Sequence, residues 1–134
     1  MKLLNASTLS GLKLDYAVAV TEGGFNIVKN PMGFNLSASQ SGYWIWGKEG
    51  NDSFYRLIGH DYSPSSDHQI GGMLAEKHCI SRVSLPNNKG WLANGLNAAG
   101  DSVEATGETS LIAAMRCYLM MVVGSEIEIP DSLL

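Results

Sequence analysis

The feature that most constrains the fold is the segment TSLIAAMRCYLMMVVG (109–124), which is apolar on every side when read as a helix. Thr109 suits the start of such a helix and Gly124 its end. One core stripe comprises Leu111, Ala114, Met115, Tyr118, Leu119 and Val122, and the other faces carry Ile112, Ala113, Cys117, Met120 and Val123. A helix that is apolar all round is a buried one, so the segment predicts a helix in the core.

Length and composition predict a single domain over residues 1–134. Of the 134 residues, 45% are hydrophobic and 16% are charged, which suits a chain with a real core and excludes a disordered one. Polar residues follow Met1–Leu4 too closely for a signal peptide, and no apolar run approaches the ~18 residues that span a bilayer. We therefore expect a cytoplasmic protein with reduced thiols and no membrane partner. The two cysteines, Cys79 and Cys117, form no CxxC pair, so zinc-ribbon spacing is absent.

The charge balance excludes one class of function. Nine Lys and Arg residues face thirteen acids, the formal net charge is −4, and no basic cluster stands out. Proteins that bind a duplex gain most of their affinity by neutralising phosphates. We therefore expect no DNA or RNA duplex as a partner, although a small anionic ligand could still meet one local Arg.

The remaining patterns predict an α+β fold with about three helices and a small, mainly antiparallel sheet. A first helix runs from a cap at Ser10 to the segment EGG (22–24), whose glycines stop it, and a second runs from about Ser66 to His78. The predicted strands are 25–29, 43–47, 53–59, 79–86, 91–97 and 125–130, with 43–47 and 53–59 forming a hairpin. Residues 30–42 and 97–107 are predicted loops.

The stretch HDYSPSSDHQIGG (60–72) concentrates polar residues and supports two interpretations. In the first it is only a helix start, in which Pro64 follows Ser63, a serine caps, and Asp67 lies in the first turn. In the second, the free N–H groups of that helix start bind a phosphate or carboxylate. The ligand-contacting residues would then be Tyr62, Ser63, Ser65, Ser66 and Asp67.

Arg116 is the most informative single charge, because it interrupts the apolar helix. A buried guanidinium must be paired. Either it forms a clamp with a carboxylate, for which the candidates are Asp15, Asp67 and Glu108, or it lines a pocket and grips an anionic ligand. The clamp is slightly favoured.

The three tryptophans also have two interpretations. Trp44 and Trp46 are two residues apart on a predicted strand and therefore share one face, where they are either core or an exposed patch that contacts a partner. Trp91 is either core or a platform on which a ring stacks.

Motifs for catalysis and for metals are absent. The sequence contains no GxSxG, HExxH, P-loop or GxGxxG pattern. The potential ligands His60, Asp61, Asp67, His68 and His78 match no known spacing. We therefore predict no catalytic residues, no metal and no cofactor, with a small hydrolase or transferase using Asp67, His68 or His60 as the less favoured alternative.

Three segments carry a family resemblance: LSGLKLDYAVAV (9–20), YSPSSDHQIGGMLAEKHCIS (62–81) and TSLIAAMRCYLMMVVGSEIEIPDSLL (109–134). Together they resemble the NinX family of phage accessory proteins and, more distantly, the phage ABA sandwich domain. Residues 25–58 do not share the resemblance, and His68 stands where the family has an aromatic residue. The resemblance implies a compact αβ sandwich, a phage or prophage origin and a location in the host bacterial cytoplasm.

Three functions follow as hypotheses. The first is a non-enzymatic protein that binds and sequesters a small anionic or nucleotide-like ligand, such as a host defence signal. The second is an inhibitor that contacts a host protein through Trp44 and Trp46, and the third is the hydrolase. The oligomeric state is left open, a homo-oligomer included. The full ligand-binding set for the first hypothesis is Tyr62, Ser63, Ser65, Ser66, Asp67, Trp91, Thr109, Ser110 and Arg116.

Overall fold

Residues 1–23, 26–29 and 42–134 are described by the computed structural model. These parts of the chain form three α-helices: α1 (Gly11–Glu22), α2 (His68–Lys77) and α3 (Ser110–Val122). The strands within them are β1 (Lys2–Asn5), β2 (Asn26–Lys29), β3 (Tyr43–Glu49), β4 (Asp52–Leu57), β5 (Ser81–Ser84), β6 (Trp91–Leu96), β7 (Ser102–Gly107) and β8 (Glu126–Ile129). They pair in antiparallel sheets ordered β1-β8, β2-β3-β4 and β5-β6-β7. The predicted α+β class is confirmed, with small separate sheets instead of one; the loop predicted over 30–42 lies outside the described residues except for Gly42.

Helix α3 lies in the core, as its all-round apolarity predicts. Its buried residues are Leu111, Ala113, Ala114, Met115, Cys117, Tyr118 and Leu119. The β5-β6-β7 sheet packs against it, and so do α1 and α2. Each large apolar side chain fully buried in this way contributes roughly 1.5–3 kcal/mol to folding. The helix that most constrained the sequence interpretation is therefore the element around which the other layers assemble.

Small residues on β6 and β7 let the sheet approach α3 closely. A Cβ on Gly95 would lie 2.5 Å from Met121 Sδ, and one on Gly107 would lie 2.6 Å from the Ala113 backbone nitrogen. Strand β7 replaces the predicted loop over Ser102–Gly107, so that part of the prediction is wrong, whereas residues 97–101 do form a turn. The strand does alternate, but the side chains it buries against α3 are small and gave no apolar signal.

The two ends of the described chain pair with each other. Residue Lys2 of β1 lies opposite Ile129 of β8, and Asn5 lies opposite Glu126. The strand predicted near the end of the chain is confirmed as β8. Its partner was not predicted, because four residues at the start of the chain carry no local strand pattern.

Candidate functional site

Helix α2 begins at Asp67, which is its N-cap. The Asp67 carboxylate accepts a hydrogen bond of 2.9 Å from the backbone N–H of Gln69. The Ser63 carbonyl accepts the N–H groups of Ser66 and Asp67 at 3.0 and 2.7 Å. The helix start predicted for this stretch is confirmed, but the cap is Asp67 and not a serine, because the serines lie in the tight turn that precedes the helix.

A buried carboxylate on α1 stabilises the turn before α2. Asp15 of α1 is 3% exposed, and its Oδ1 accepts the backbone N–H of Ser65 at 2.9 Å. Burial raises the pKa of Asp15, and the hydrogen bonds from Ser65 oppose that rise. Ser63 and Ser65 are themselves buried, whereas Ser66 is exposed. The backbone N–H of Ser65 is thus bonded to Asp15 and stabilises the fold instead of being free to bind a ligand.

A close contact between Pro64 and Gly71 locks the same turn onto α2. A Cβ on Gly71 would lie 2.1 Å from the Pro64 carbonyl oxygen and 3.0 Å from Leu111 Cδ2. Only glycine fits there. The polar stretch is therefore a packed structural unit in which proline, serine, aspartate and glycine each have an identified role.

Arg116 takes backbone carbonyls as partners. Its Nε donates to the Leu9 carbonyl at 2.7 Å and its Nη1 to the Thr106 carbonyl at 2.8 Å. Within the described residues the ion pairs are Met1–Asp131 and His60–Asp61, so the predicted clamp to Asp15, Asp67 or Glu108 is wrong. The two carbonyls satisfy two of the five guanidinium N–H donors but bring no opposite charge. Arg116 is thus held in place, and no ion pair with a residue of the described ranges compensates its positive charge.

A groove opens beside this guanidinium, and we call it the cationic groove. It has a volume of about 360 Å³ and is lined by Asn88, Lys89, Gly90, Thr106, Gly107, Glu108 and Arg116. Two cations, Lys89 and Arg116, face one acid, Glu108, in a protein whose formal net charge is −4. Lys89 is exposed at the end of the short turn before β6. The groove is therefore locally positive where the chain as a whole is negative.

Backbone forms much of the wall of the cationic groove. A Cβ on Gly90 would lie 2.5 Å from the Gly107 carbonyl oxygen, and Gly90 has a φ of +95°. The lining residue Glu108 directly precedes Thr109, whose hydroxyl accepts the N–H of Ile112 at 3.2 Å, although Thr109 and Ser110 do not themselves line the groove. Thr109 is confirmed as the cap. A helix start carries partial positive charge, so Ser110 and its neighbours add to the positive potential there.

The predicted aromatic residues lie elsewhere. Trp91 begins β6 beside Gly90, but its side chain packs against the core. On β3, Ile45 is fully buried, while Trp44 and Trp46 are partly buried on the opposite face, and Trp46 lies 6.5 Å from the Tyr55 ring between centroids. Trp44 and Trp46 share one face of β3, as the alternation of side chains along a strand predicts. Their contact with a partner stays a prediction.

Tyr62 lines a second cavity, which we call the apolar cleft. The cleft has a volume of about 340 Å³ and is lined by Glu22, Arg56, Tyr62, Ile70, Met73, Leu74 and Lys77. Burial, followed by the charge of Glu22, raises the pKa of the Tyr62 hydroxyl. The residues predicted as one ligand site are thus divided, with Arg116 at the groove and Tyr62 at the cleft. Sequence reasoning missed Lys89, whose only signal was a lysine in the turn NNKG.

The residues considered for catalysis or metal binding do not converge. Throughout the described part of the chain, no group of three or more His, Cys, Asp or Glu side chains could hold a metal ion. His60 and Asp61 are neighbours, with Nδ1 and Oδ1 3.0 Å apart, and the other Asp61 oxygen accepts the Leu57 N–H. Burial raises the pKa of the Cys117 thiol to about 11, so that thiol is unreactive. The described helices also include none that is long and apolar enough to cross a bilayer.

Comparison with known proteins identifies one family. The model of the family described as "Bacteriophage P22, NinX" matches residues 5–122. The match begins in β1, ends with α3, and includes residues 25–58, which the resemblance drawn from the sequence had left out. Among curated proteins, none matches the chain.

Proposed function

Because the chain belongs to the phage family described as Bacteriophage P22, NinX, we propose that it is a phage-encoded accessory protein that binds a small anionic ligand in the cationic groove. The arrangement of Arg116 is the observation that carries this proposal. A buried or half-buried arginine that serves only the fold commonly meets a carboxylate, which cancels its charge. This one is anchored by the carbonyls of Leu9 and Thr106 and keeps its charge beside an open groove.

The surroundings of Arg116 favour an anion for two further reasons. Lys89 supplies a second, exposed cation in the same groove, and the start of α3 adds partial positive charge. Guanidinium N–H groups not used by the two carbonyls suit phosphate or carboxylate oxygens, with which arginine forms strong charge-assisted bonds. Glu108 opposes an anion, so the groove favours a ligand that places its charge near Lys89 and Arg116.

The size of the groove and the family together suggest the class of ligand. A volume of about 360 Å³ lies at the lower end of the range for small-molecule sites. A ligand of nucleotide type would bring phosphate oxygens to the two cations. Because the family is a phage family, a host defence signal of nucleotide type is the first candidate, by analogy with other phage proteins. The chain would hold the ligand without converting it.

The test begins with capture from a complex mixture. The purified protein is incubated with a nucleotide extract from bacterial cells, washed, and analysed by mass spectrometry for retained compounds. Retention of an unchanged phosphorylated compound supports the proposal. A compound recovered in converted form would favour a hydrolase instead, and retention of nothing would favour the inhibitor that contacts a host protein.

A pair of variants then locates the binding. Lys89→Gln removes a cation from the cationic groove, and Lys77→Gln, the matched control, removes one from the apolar cleft. Calorimetry with the retained compound should show weaker binding by about fivefold for Lys89→Gln and no change for Lys77→Gln, since one partly exposed charge contributes up to ~1 kcal/mol. If Lys89→Gln and the wild type bind the compound with equal affinity, the cationic groove is not its binding site. Arg116 is not the first choice, because its loss also removes two anchors of the fold.

A further inference from the structure

The apolar cleft has the composition of a second binding site. It lies between the end of α1, strand β4 and one face of α2. Leu74 and Tyr62 form its base and are 6% and 3% exposed, and Ile70 is partly buried beside them. Met73, by contrast, is 65% exposed on the same helix. A methionine at the edge of an apolar cavity is well suited to adapt to a ligand, because its side chain is flexible and polarisable.

The charges around the apolar cleft are positioned at its rim. Arg56 and Lys77 are exposed, and neither forms an ion pair with any described residue. The Arg56 guanidinium lies 5.0 Å from the centroid of the Phe54 ring, which fixes its position over an apolar surface. Two cations thus stand at the opening of a cavity with an apolar base.

Glu22 is the one acid among the described residues that line the cleft, and it lies near Tyr62 and Tyr118. Burial and then the Glu22 charge raise the pKa of Tyr118 to about 12, and the same charge contributes to the raised pKa of Tyr62. The carboxylate therefore lies near the two hydroxyls. Among the described lining residues, two cations against one acid give the cleft a charge excess of one, which a ligand with a single negative charge would neutralise.

We propose that the apolar cleft binds a small aromatic carboxylate, with its flat ring against Ile70, Met73 and Leu74 and its carboxylate at Arg56 and Lys77. The cleft shares no lining residue with the cationic groove. This second site is therefore independent of the function proposed above: either can fail without the other. A flat ring gains from burial against apolar side chains, while the carboxylate stays at the rim where it remains partly hydrated.

The test uses 2-naphthoate and its uncharged analogue 2-naphthamide as probes. Protein labelled with ¹³C at the methionine methyl groups is titrated with each compound and followed by NMR, with the Met73 signal assigned from Met73→Ser. The expected result is a saturable shift of the Met73 methyl with 2-naphthoate. No saturable shift of that signal would overturn the proposal.

Two variants separate the ring from the charge. Lys77→Gln should weaken 2-naphthoate by about fivefold and leave 2-naphthamide unchanged, because it removes an exposed charge. Met73→Ser, followed by calorimetry, should weaken both compounds. Lys89→Gln, the control in the cationic groove, should change neither. If Lys77→Gln weakens both probes equally, or Lys89→Gln weakens 2-naphthoate as much as Lys77→Gln does, the assignment of the carboxylate to this rim is wrong.

Discussion

The starts of α2 and α3 have the same construction and different surroundings. Each helix begins with a side-chain oxygen that accepts a backbone N–H of its first turn, from Asp67 at α2 and from Thr109 at α3. At α2 the cap is itself an acid, and a second carboxylate, that of Asp15, accepts a hydrogen bond from the Ser65 N–H. At α3 the cap is neutral, and Lys89 and Arg116 lie in the adjoining groove.

This difference shows why a concentration of polar residues does not make a site. The stretch before α2 (60–67) contains three serines and two aspartates, yet its buried groups are used by the fold and its charge is negative. The groove before α3 contains fewer polar side chains, but its two cations form no ion pair with any described residue. Partial charge at a helix start attracts an anion only where neighbouring charges do not cancel it.

The largest expected effect tests the packing before α2. Gly71→Ala should destabilise the protein by about 3 kcal/mol, because the new Cβ would lie 2.1 Å from the Pro64 carbonyl oxygen, so the backbone must move. Gly72→Ala is the matched control, since nothing lies within 4 Å of its Cβ. In a helix interior that change should stabilise by roughly 0.5–1 kcal/mol. Urea unfolding of both variants measures the contrast, and equal stabilities would show that the turn is not packed on α2.

The next effect concerns the buried carboxylate. Asp15→Ala should cost about 1–3 kcal/mol, because it leaves the buried Ser65 N–H without its acceptor. Asp15→Asn keeps an oxygen in that position and should stay within about 1 kcal/mol of the wild type. Urea unfolding at neutral pH measures both. If Asn is as harmful as Ala, the charge of Asp15, and not only its hydrogen bond, supports the turn.

The same residue predicts a dependence on pH. Burial raises the pKa of Asp15 above its ordinary value of 3.8, so its protonated form is favoured more strongly in the folded than in the unfolded chain. The contribution of Asp15 to stability is then full below pH 3.8 and is lost as the pH rises through the folded pKa. Measured against Asp15→Asn, the wild type should gain stability as the pH is lowered from neutral. A constant difference across that range would contradict the raised pKa.

The caps of the two helices should contribute equally, although their surroundings differ. Asp67→Ala and Thr109→Ala should each cost about 1 kcal/mol, because each removes one hydrogen bond to a first-turn N–H. Ser10→Ala serves as the control, since Ser10 stands before α1 and makes no side-chain capping bond. Thermal melts compare the three variants. A loss at Ser10 as large as at Thr109 would show that the melts report something other than capping.

Those elements that depend on local pattern were predictable, and those that depend on distant partners were not. Helix α3 followed from its apolar residues and from Thr109, whereas β7 was missed because Ala105 and Gly107 are small where α3 approaches. The sequence did show that Arg116, in an apolar helix, needs partners within the fold. It did not show those partners, because every residue has a carbonyl and only the fold shows which ones, here those of Leu9 and Thr106, face the guanidinium.

The smallest effect bears most directly on the comparison of the two helix starts. Glu108→Gln and Asp67→Asn each remove one negative charge beside a helix start, and both keep the size of the side chain. Glu108 lines the cationic groove and opposes an anion there, whereas Asp67 lines neither the groove nor the apolar cleft. Glu108→Gln should therefore strengthen binding of the anionic compound retained from the extract by about two- to fivefold, since an exposed charge interaction is worth up to ~1 kcal/mol. Asp67→Asn should leave the affinity unchanged, and calorimetry at low ionic strength measures both. Equal strengthening by the two variants would mean that overall charge, and not the groove at the start of α3, governs the binding.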